Sequence, residues 1–154
     1  MADLQHVNSF EELIVYRKAR ALQRLIYRRT PCFPREEMYS LTDQIRRSCR
    51  SVGGHISEAW AKRRCIRHFQ SKITDGIGEL YKILHWVITA SDCEYIDANE
   101  EANFRAEIDE IGRMMNSMYN KADQFCITDS DKVREIEAEY LVDTEADNLP
   151  DDSS

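Results

Sequence analysis

Proline is nearly absent from the body of this 154-residue chain: Pro31 and Pro34 lie close together, Pro150 stands near the end, and residues 35–149 hold none. Strand-like alternation bounded by turn residues is missing from the same stretch, which argues against a sheet-based fold. Glycine is scarce too, at five residues, and neither a Gly-x-x-x-x-Gly-Lys phosphate loop nor a Gly-x-Ser-x-Gly nucleophile elbow occurs. The five cysteines (Cys32, Cys49, Cys65, Cys93, Cys126) are odd in number and include no Cys-x-x-Cys pair. Free, mostly buried thiols in a reducing cytosol are expected rather than a disulfide framework. No basic region followed by an apolar stretch opens the sequence, and no run approaches the ~18–20 apolar residues that span a bilayer. A cytoplasmic protein without a membrane partner is expected.

Metal and nucleophile chemistry also lack their usual groupings. His-Glu-x-x-His is absent, and no Glu is followed by His three positions later, the spacing by which helical bundles gather two metals. The reverse order, His55 and Glu58, falls at the predicted core boundary and reads as a satisfied polar pair. Cys65 and His68, one turn apart beside a basic segment, read as packing rather than as a thiolate–imidazole couple. Neither catalysis nor a metal or cofactor is expected.

What the chain does have is charge, unevenly placed. The formal net charge of −7 would by itself argue against a polyanionic partner. Yet residues 1–64 carry a net +6, residues 65–126 a net −5 and residues 127–154 a net −8. The acidity belongs largely to the C-terminal block, and a tail of that charge could fold over a basic surface and compete with phosphate.

Apolar residues recur at three- and four-residue steps, predicting four amphipathic helices. The first should start at Ser9, where Ser9-Phe10-Glu11-Glu12 has the form of a capping box, and end near Thr30 because Pro31 disfavours a helical residue before it. Its inward face is Val15, Ala19, Leu22 and Ile26, flanked by Ile14 and Leu25; Arg17, Arg20, Arg24 and Arg28 form an opposite stripe. The second should start at Ser40, with Asp43 at its third position, and turn Leu41, Ile45, Ser48, Val52, Ile56 and Ala59 inward. Arg46, Arg47 and Arg50 face outward, and Lys62-Arg63-Arg64 follows as a basic turn. The third runs from about Ile66 to Ser91 on Phe69, Ile73, Ile77, Leu80, Leu84 and Val87. The fourth opens at Asp97 with Glu100 three residues on, and steps through Phe104, Ile108, Ile111, Met115, Met118, Ala122 and Phe125.

Similar lengths and links under ten residues imply an all-α, antiparallel up-down-up-down four-helix bundle over residues 1–126. Residues 127–154 form an acidic C-terminal extension, in which Lys132 to Val142 suits a short fifth helix and residues 143–154 have too little apolar content to fold alone. Gly53, Gly54, Gly76, Gly78 and Gly112 all fall inside helices, marking either close helix approach or local kinks. Tyr39, Trp60, Tyr81 and Trp86 lie outside the inward stripes and suit either self-association or packing at the core edge.

The middle of the chain is similar to a known family. Thr30, Phe33-Pro34, Glu37, Tyr39, Leu41, Gln44-Ile45-Arg46-Arg47, Ser51-Val52, Ile56 and Glu58, then Phe69 and Glu79-Leu80, resemble the four-helix-bundle proteins encoded in intervening sequences of 23S ribosomal RNA genes. Phe10-Glu11-Glu12-Leu13-Ile14-Val15-Tyr16 also looks like that family's first helix, so the likeness covers about residues 8–125. It implies a homopentamer with no known catalysis. The accessory variability determinant proteins of diversity-generating retroelements look similar in fold and are implicated in binding a reverse transcriptase and nucleic acid through a basic surface.

By that analogy Arg46, Arg47 and Arg50 become candidate phosphate contacts, with Arg17, Arg20, Arg24 and Arg28 beside them and Lys62, Arg63 and Arg64 at the following turn. Arginine also suits bidentate phosphate contact. Three readings of these cations stand open: a surface for RNA or a ribonucleoprotein, a solvated helix face, or intersubunit salt bridges in an interaction scaffold.

Overall fold

The computed structural model describes residues 7–127 together with 131, 137 and 138. Four long helices, α1 (Ile14–Arg29), α2 (Asp43–Ala61), α3 (Ile66–Asp92) and α4 (Ala98–Asn120), are followed by the single turn α5 (Ala122–Phe125), and the described residues include no strand. The fold is all-α. Of the short fifth helix expected over Lys132 to Val142 only Glu137 and Ala138 are described, both helical, and the acidic end lies outside the described residues.

Opposite helix ends meet along each seam. Arg29, the last residue of α1, pairs with Glu100 in the first turn of α4, while Lys18 pairs with Glu110 further along. Glu58 near the end of α2 bonds Lys72 near the start of α3, and Gln70 of α3 donates to the Tyr119 carbonyl near the end of α4. Arg46 of α2 reaches back to Thr30 at the end of α1. These pairings are consistent with the up-down-up-down order.

The helix starts differ from the local cap signals. Ser9 Oγ accepts from the Glu11 amide at 3.3 Å and caps only a 3-10 turn, Phe10–Glu12; Leu13 is extended, and α1 begins at Ile14. The reason is core packing: Leu13 and Val15 are both buried, and at 100° per residue two positions two apart on one helix diverge by about 200°. An extended residue at 13 turns both inward. Ser40 likewise does not cap α2. Its hydroxyl donates to Glu37 Oε2, and a wide π-helical turn, Met38–Thr42, leads into the helix and buries Leu41 and Thr42 together. Asp97 does start α4 as read, with the reciprocal Asp97–Glu100 capping box formed.

The inward faces of α1 and α2 are buried as expected, while Ile14 and Leu25 are exposed. In α3 the buried set is Phe69, Ile73, Gly76, Leu80, Ile83, Val87 and Ala90, so Gly76 and Ile83 occupy core positions assigned above to Ile77 and Leu84. The shift keeps a three-four step but lets α2 and α4 approach α3 at Gly76. A Cβ placed there would sit 2.5 Å from Met115 Cε and 3.3 Å from His55 Cβ. Gly76 thus marks close approach, whereas Gly54, Gly78 and Gly112 face open space.

Two further expectations are corrected. Only Cys49 and Cys126 are buried; Cys32 and Cys93 are exposed, because both lie in links between helices. His55 and Glu58 are not a satisfied pair: Glu58 bonds Lys72 across the α2–α3 seam, and the buried His55 Nδ1 has no hydrogen-bond partner among the described residues.

Candidate nucleic-acid interface

Helix α1 presents Arg17, Arg20, Arg24 and Arg28 to solvent, as their near-common angular position requires. Arg17 Nε donates to the Glu11 carbonyl at 3.2 Å, which ties it to the 3-10 turn before the helix. Lys18 and Arg29 flank the stripe and belong to the fold, since each pairs with an α4 carboxylate. The Glu110 contact holds the Lys18 ammonium above its ordinary pKa, and the Glu100 hydrogen bond does the same for the Arg29 guanidinium.

The α2 cations divide by role. Arg47 is exposed and lies 3.8 Å from Asp43 one turn earlier, while Arg50 is exposed and makes no ion pair with a described residue. Arg46 does not face outward with them. It is half-buried, donates from Nε to Thr30 Oγ1 at 2.8 Å, and stacks its guanidinium over Tyr27 at 4.9 Å from the ring centroid. Thr30, itself buried, spends its own proton on the Ile26 carbonyl, which leaves the hydroxyl oxygen free to accept from Arg46. Angular position alone could not reveal this, because the acceptor sits sixteen residues away on another element.

The basic turn is also split. Lys62 and Arg64 are exposed, but Arg63 is half-buried, lies over the Trp60 ring at 3.5 Å and donates to the Trp60 carbonyl at 2.8 Å. Its own carbonyl accepts from the Ile127 amide. Arg63 therefore closes the end of α2 and anchors the chain leaving α5. Trp60 is accounted for by this packing and Trp86 is half-buried against the core, whereas Tyr39 and Tyr81 remain in water.

At the α1–α2 seam the tertiary structure assembles something the stripes did not show. Gln23, Arg24 and Tyr27 from α1 and Arg46 and Arg50 from α2 line one shallow pocket of about 160 Å³. Gln23 and Tyr27 belong to no stripe read from the sequence, although Tyr27 follows Gln23 by four residues and Arg24 by three, which places it one turn on from both. Arg28 is directed elsewhere: with Leu25, Arg29, Glu100 and Phe104 it lines a groove between α1 and α4. Among the described residues no group of three or more His, Cys, Asp or Glu side chains could hold a metal ion, and no helix is long and apolar enough to cross a membrane.

The link between α1 and α2 carries much of the family-like motif, and the structure gives those residues mechanical roles. Tyr95 donates its hydroxyl proton to Glu37 Oε1 at 2.9 Å and packs on Phe33, while Arg29 donates to the Tyr95 carbonyl and Glu100. The Glu37 contact pushes the Tyr95 phenol up to about 12, and the Ser40 and Tyr95 hydroxyls hold the Glu37 carboxyl below its usual range. Phe33, Glu37, Leu41 and Arg46 thus lock one end of the bundle.

A comparison with curated proteins finds no match. A family model described as 23S rRNA-intervening sequence protein matches residues 11–117, a span that takes in the α1–α2 seam, its locked link and nearly all of α4. The chain belongs to the 23S rRNA-intervening sequence protein family.

Proposed function

We propose that this protein binds RNA, free or within a ribonucleoprotein, through the cationic α1–α2 face, without catalysis and as a cytoplasmic homo-oligomer. The pentamer that the family resemblance implies is the assembly proposed. The observation that carries the reading is the convergence of Arg24, Arg46 and Arg50, from two helices, on one pocket. Arg20, Arg24 and Arg50 are exposed and make no ion pair with a described residue, so phosphate contact would not require breaking an internal bond. Arg46 and Arg63 contribute positive potential while serving the fold.

Equilibrium binding to a structured RNA across a salt series tests this. Affinity should fall steeply with salt, and Arg24→Ala with Arg50→Ala should shallow the log–log slope by roughly 0.7 if the two share one phosphate and roughly 1.5 if each holds its own, since each neutralised phosphate releases counterions. No binding even at low salt overturns the proposal.

A second reading, an interaction scaffold for a partner protein, is favoured by exposed apolar side chains: Tyr39 is 83% and Tyr81 70% exposed. It predicts assembly by light scattering without salt-dependent RNA binding. The acidic counterparts of Lys18 and Arg29 lie within the same chain, which leaves those two cations engaged without a neighbour.

A further inference from the structure

We infer that the α1–α2 pocket takes an unpaired nucleotide of a single strand, with Arg24 and Arg50 on its phosphate and Tyr27 stacked on its base. This rests on the RNA-binding reading above and narrows it to one class of nucleic acid. Four features of the pocket carry it. The first is an aromatic ring among arginines: Tyr27 is 56% exposed even though the Arg46 guanidinium covers it at 4.9 Å. An aromatic face backed by a cation is a stacking platform for any base, because every base presents a π-face.

The second feature is that this platform is held in place. Arg46 cannot swing out to chase a phosphate without abandoning Thr30, so its part is to fix the ring and lend it charge. The third is that Arg24 and Arg50 stand exposed on either side of the seam, facing the same pocket without an ion pair to a described residue. The division of labour is therefore cations for phosphate and ring for base.

The fourth feature is size. At about 160 Å³ the pocket is below the ~300–1,000 Å³ typical of sites that engulf a small molecule. A ligand is held at one edge, as a strand is when a single nucleotide engages. A duplex keeps its bases stacked on one another and offers a shallow pocket of this kind only phosphate and sugar, which would leave the Tyr27 ring without a role. An acidic peptide would also satisfy the arginines and leave the ring unused.

Fluorescein-labelled oligo(U) of twelve nucleotides, the same strand annealed to oligo(A), and oligo(dT) of equal length separate these cases by anisotropy with the full chain at low salt. The single strand should bind more tightly than the duplex. Tyr27→Leu should weaken it at least about five-fold while leaving duplex affinity unchanged, and Tyr27→Phe should retain it. Binding of oligo(dT) within about threefold of oligo(U) supports the inference and makes either single strand a source, whereas its loss supports it and restricts the source to RNA. Photo-crosslinking of 5-iodouridine-substituted oligo(U), read by peptide mapping, should label the peptide carrying Tyr27 and provides a readout independent of variant stability.

Equal or tighter duplex binding with Tyr27→Leu silent and Arg24→Ala with Arg50→Ala weakening overturns the inference but leaves RNA binding standing. Displacement of oligo(U) by oligo-glutamate at equal charge concentration, again with Tyr27→Leu silent, overturns it in favour of an acidic peptide. Absence of binding to every probe removes the RNA-binding reading itself.

Discussion

Arg46 Nε donates to Thr30 Oγ1 at 2.8 Å, joining the first turns of α2 to the end of α1. The bond separates two arginines that lie one turn apart on the same helix. Arg46→Ala removes a charge-assisted donor and the cover over Tyr27, so it should destabilise the fold by about 1–3 kcal/mol. Arg50→Ala, at an exposed site, should change stability by less than about 0.5 kcal/mol. Urea unfolding of the two variants side by side measures the difference, and equal effects would show that the Thr30 bond contributes nothing.

The acid limit of stability should depend on Glu100. Its carboxyl is held below the usual range of 4.5, first by the Arg29 hydrogen bond and then by the Asp97 amide. A carboxylate with a depressed folded pKa contributes stability that is present above its unfolded pKa and is lost as pH falls through the folded one. Urea midpoints should therefore decline as pH drops below about 4.5. Glu100→Gln keeps a residue able to close the capping box but cannot ionise, so it should be less stable at pH 7 and lose less on acidification. Tyr95 sets the opposite limit: its raised folded pKa means that its contribution is full below pH 10 and lost as pH rises toward about 12, and Tyr95→Phe should remove that alkaline loss.

Glycine substitutions should split by position. Alanine is favoured over glycine in a helix interior by roughly 1 kcal/mol, and nothing lies within 4 Å of a Cβ added at Gly78 or Gly112. Gly78→Ala and Gly112→Ala should each raise the melting temperature. At Gly76 the new carbon meets fully buried Met115 and the His55 Cβ, and overpacking of about 1–3 kcal/mol should exceed the gain, so Gly76→Ala should lower it.

Thiol reactivity should follow burial. Burial pushes the Cys49 thiol up to about 12, so little thiolate is present to react. In the native protein iodoacetamide should modify Cys32 and Cys93 first and spare Cys49 until the fold opens. Mass mapping of alkylated peptides over time checks the order.

The acidic block should act on the RNA surface through charge alone. Residues 128–154 carry a net −8, and truncation after Ile127 keeps the Ile127–Arg63 backbone bond. If the block competes with phosphate, truncation should tighten RNA binding at low salt and lose its effect as screening shortens the Debye length. Unchanged affinity would restrict the block to other roles.

Legibility in the sequence varied with the range of the interaction. The capping box at Asp97 and Glu100 is complete within four residues and forms as read. Ser9 and Ser40 carry equally local signals, yet both are overruled because Leu13 and Leu41 reach the core by non-α-helical backbone. In α3, Ile77 and Ile83 flank the stripe on opposite sides, and only the positions of His55 and Met115 decide that the Gly76 edge turns inward.

The candidate site divides the same way. Helical periodicity was enough to establish four amphipathic helices, the outward arginines of α1 and the exposure of Arg47 and Arg50, since burial of apolar faces forces the polar faces into water. Which arginines belong together was decided by the tertiary structure. Arg24 meets Arg46, Arg50 and Tyr27 while Arg28 turns to another groove, and Arg46 and Arg63 are held by Thr30 and Trp60. A helix surface specifies angle and rise along its own axis, but partners across a seam depend on the register between helices, which no single helix contains.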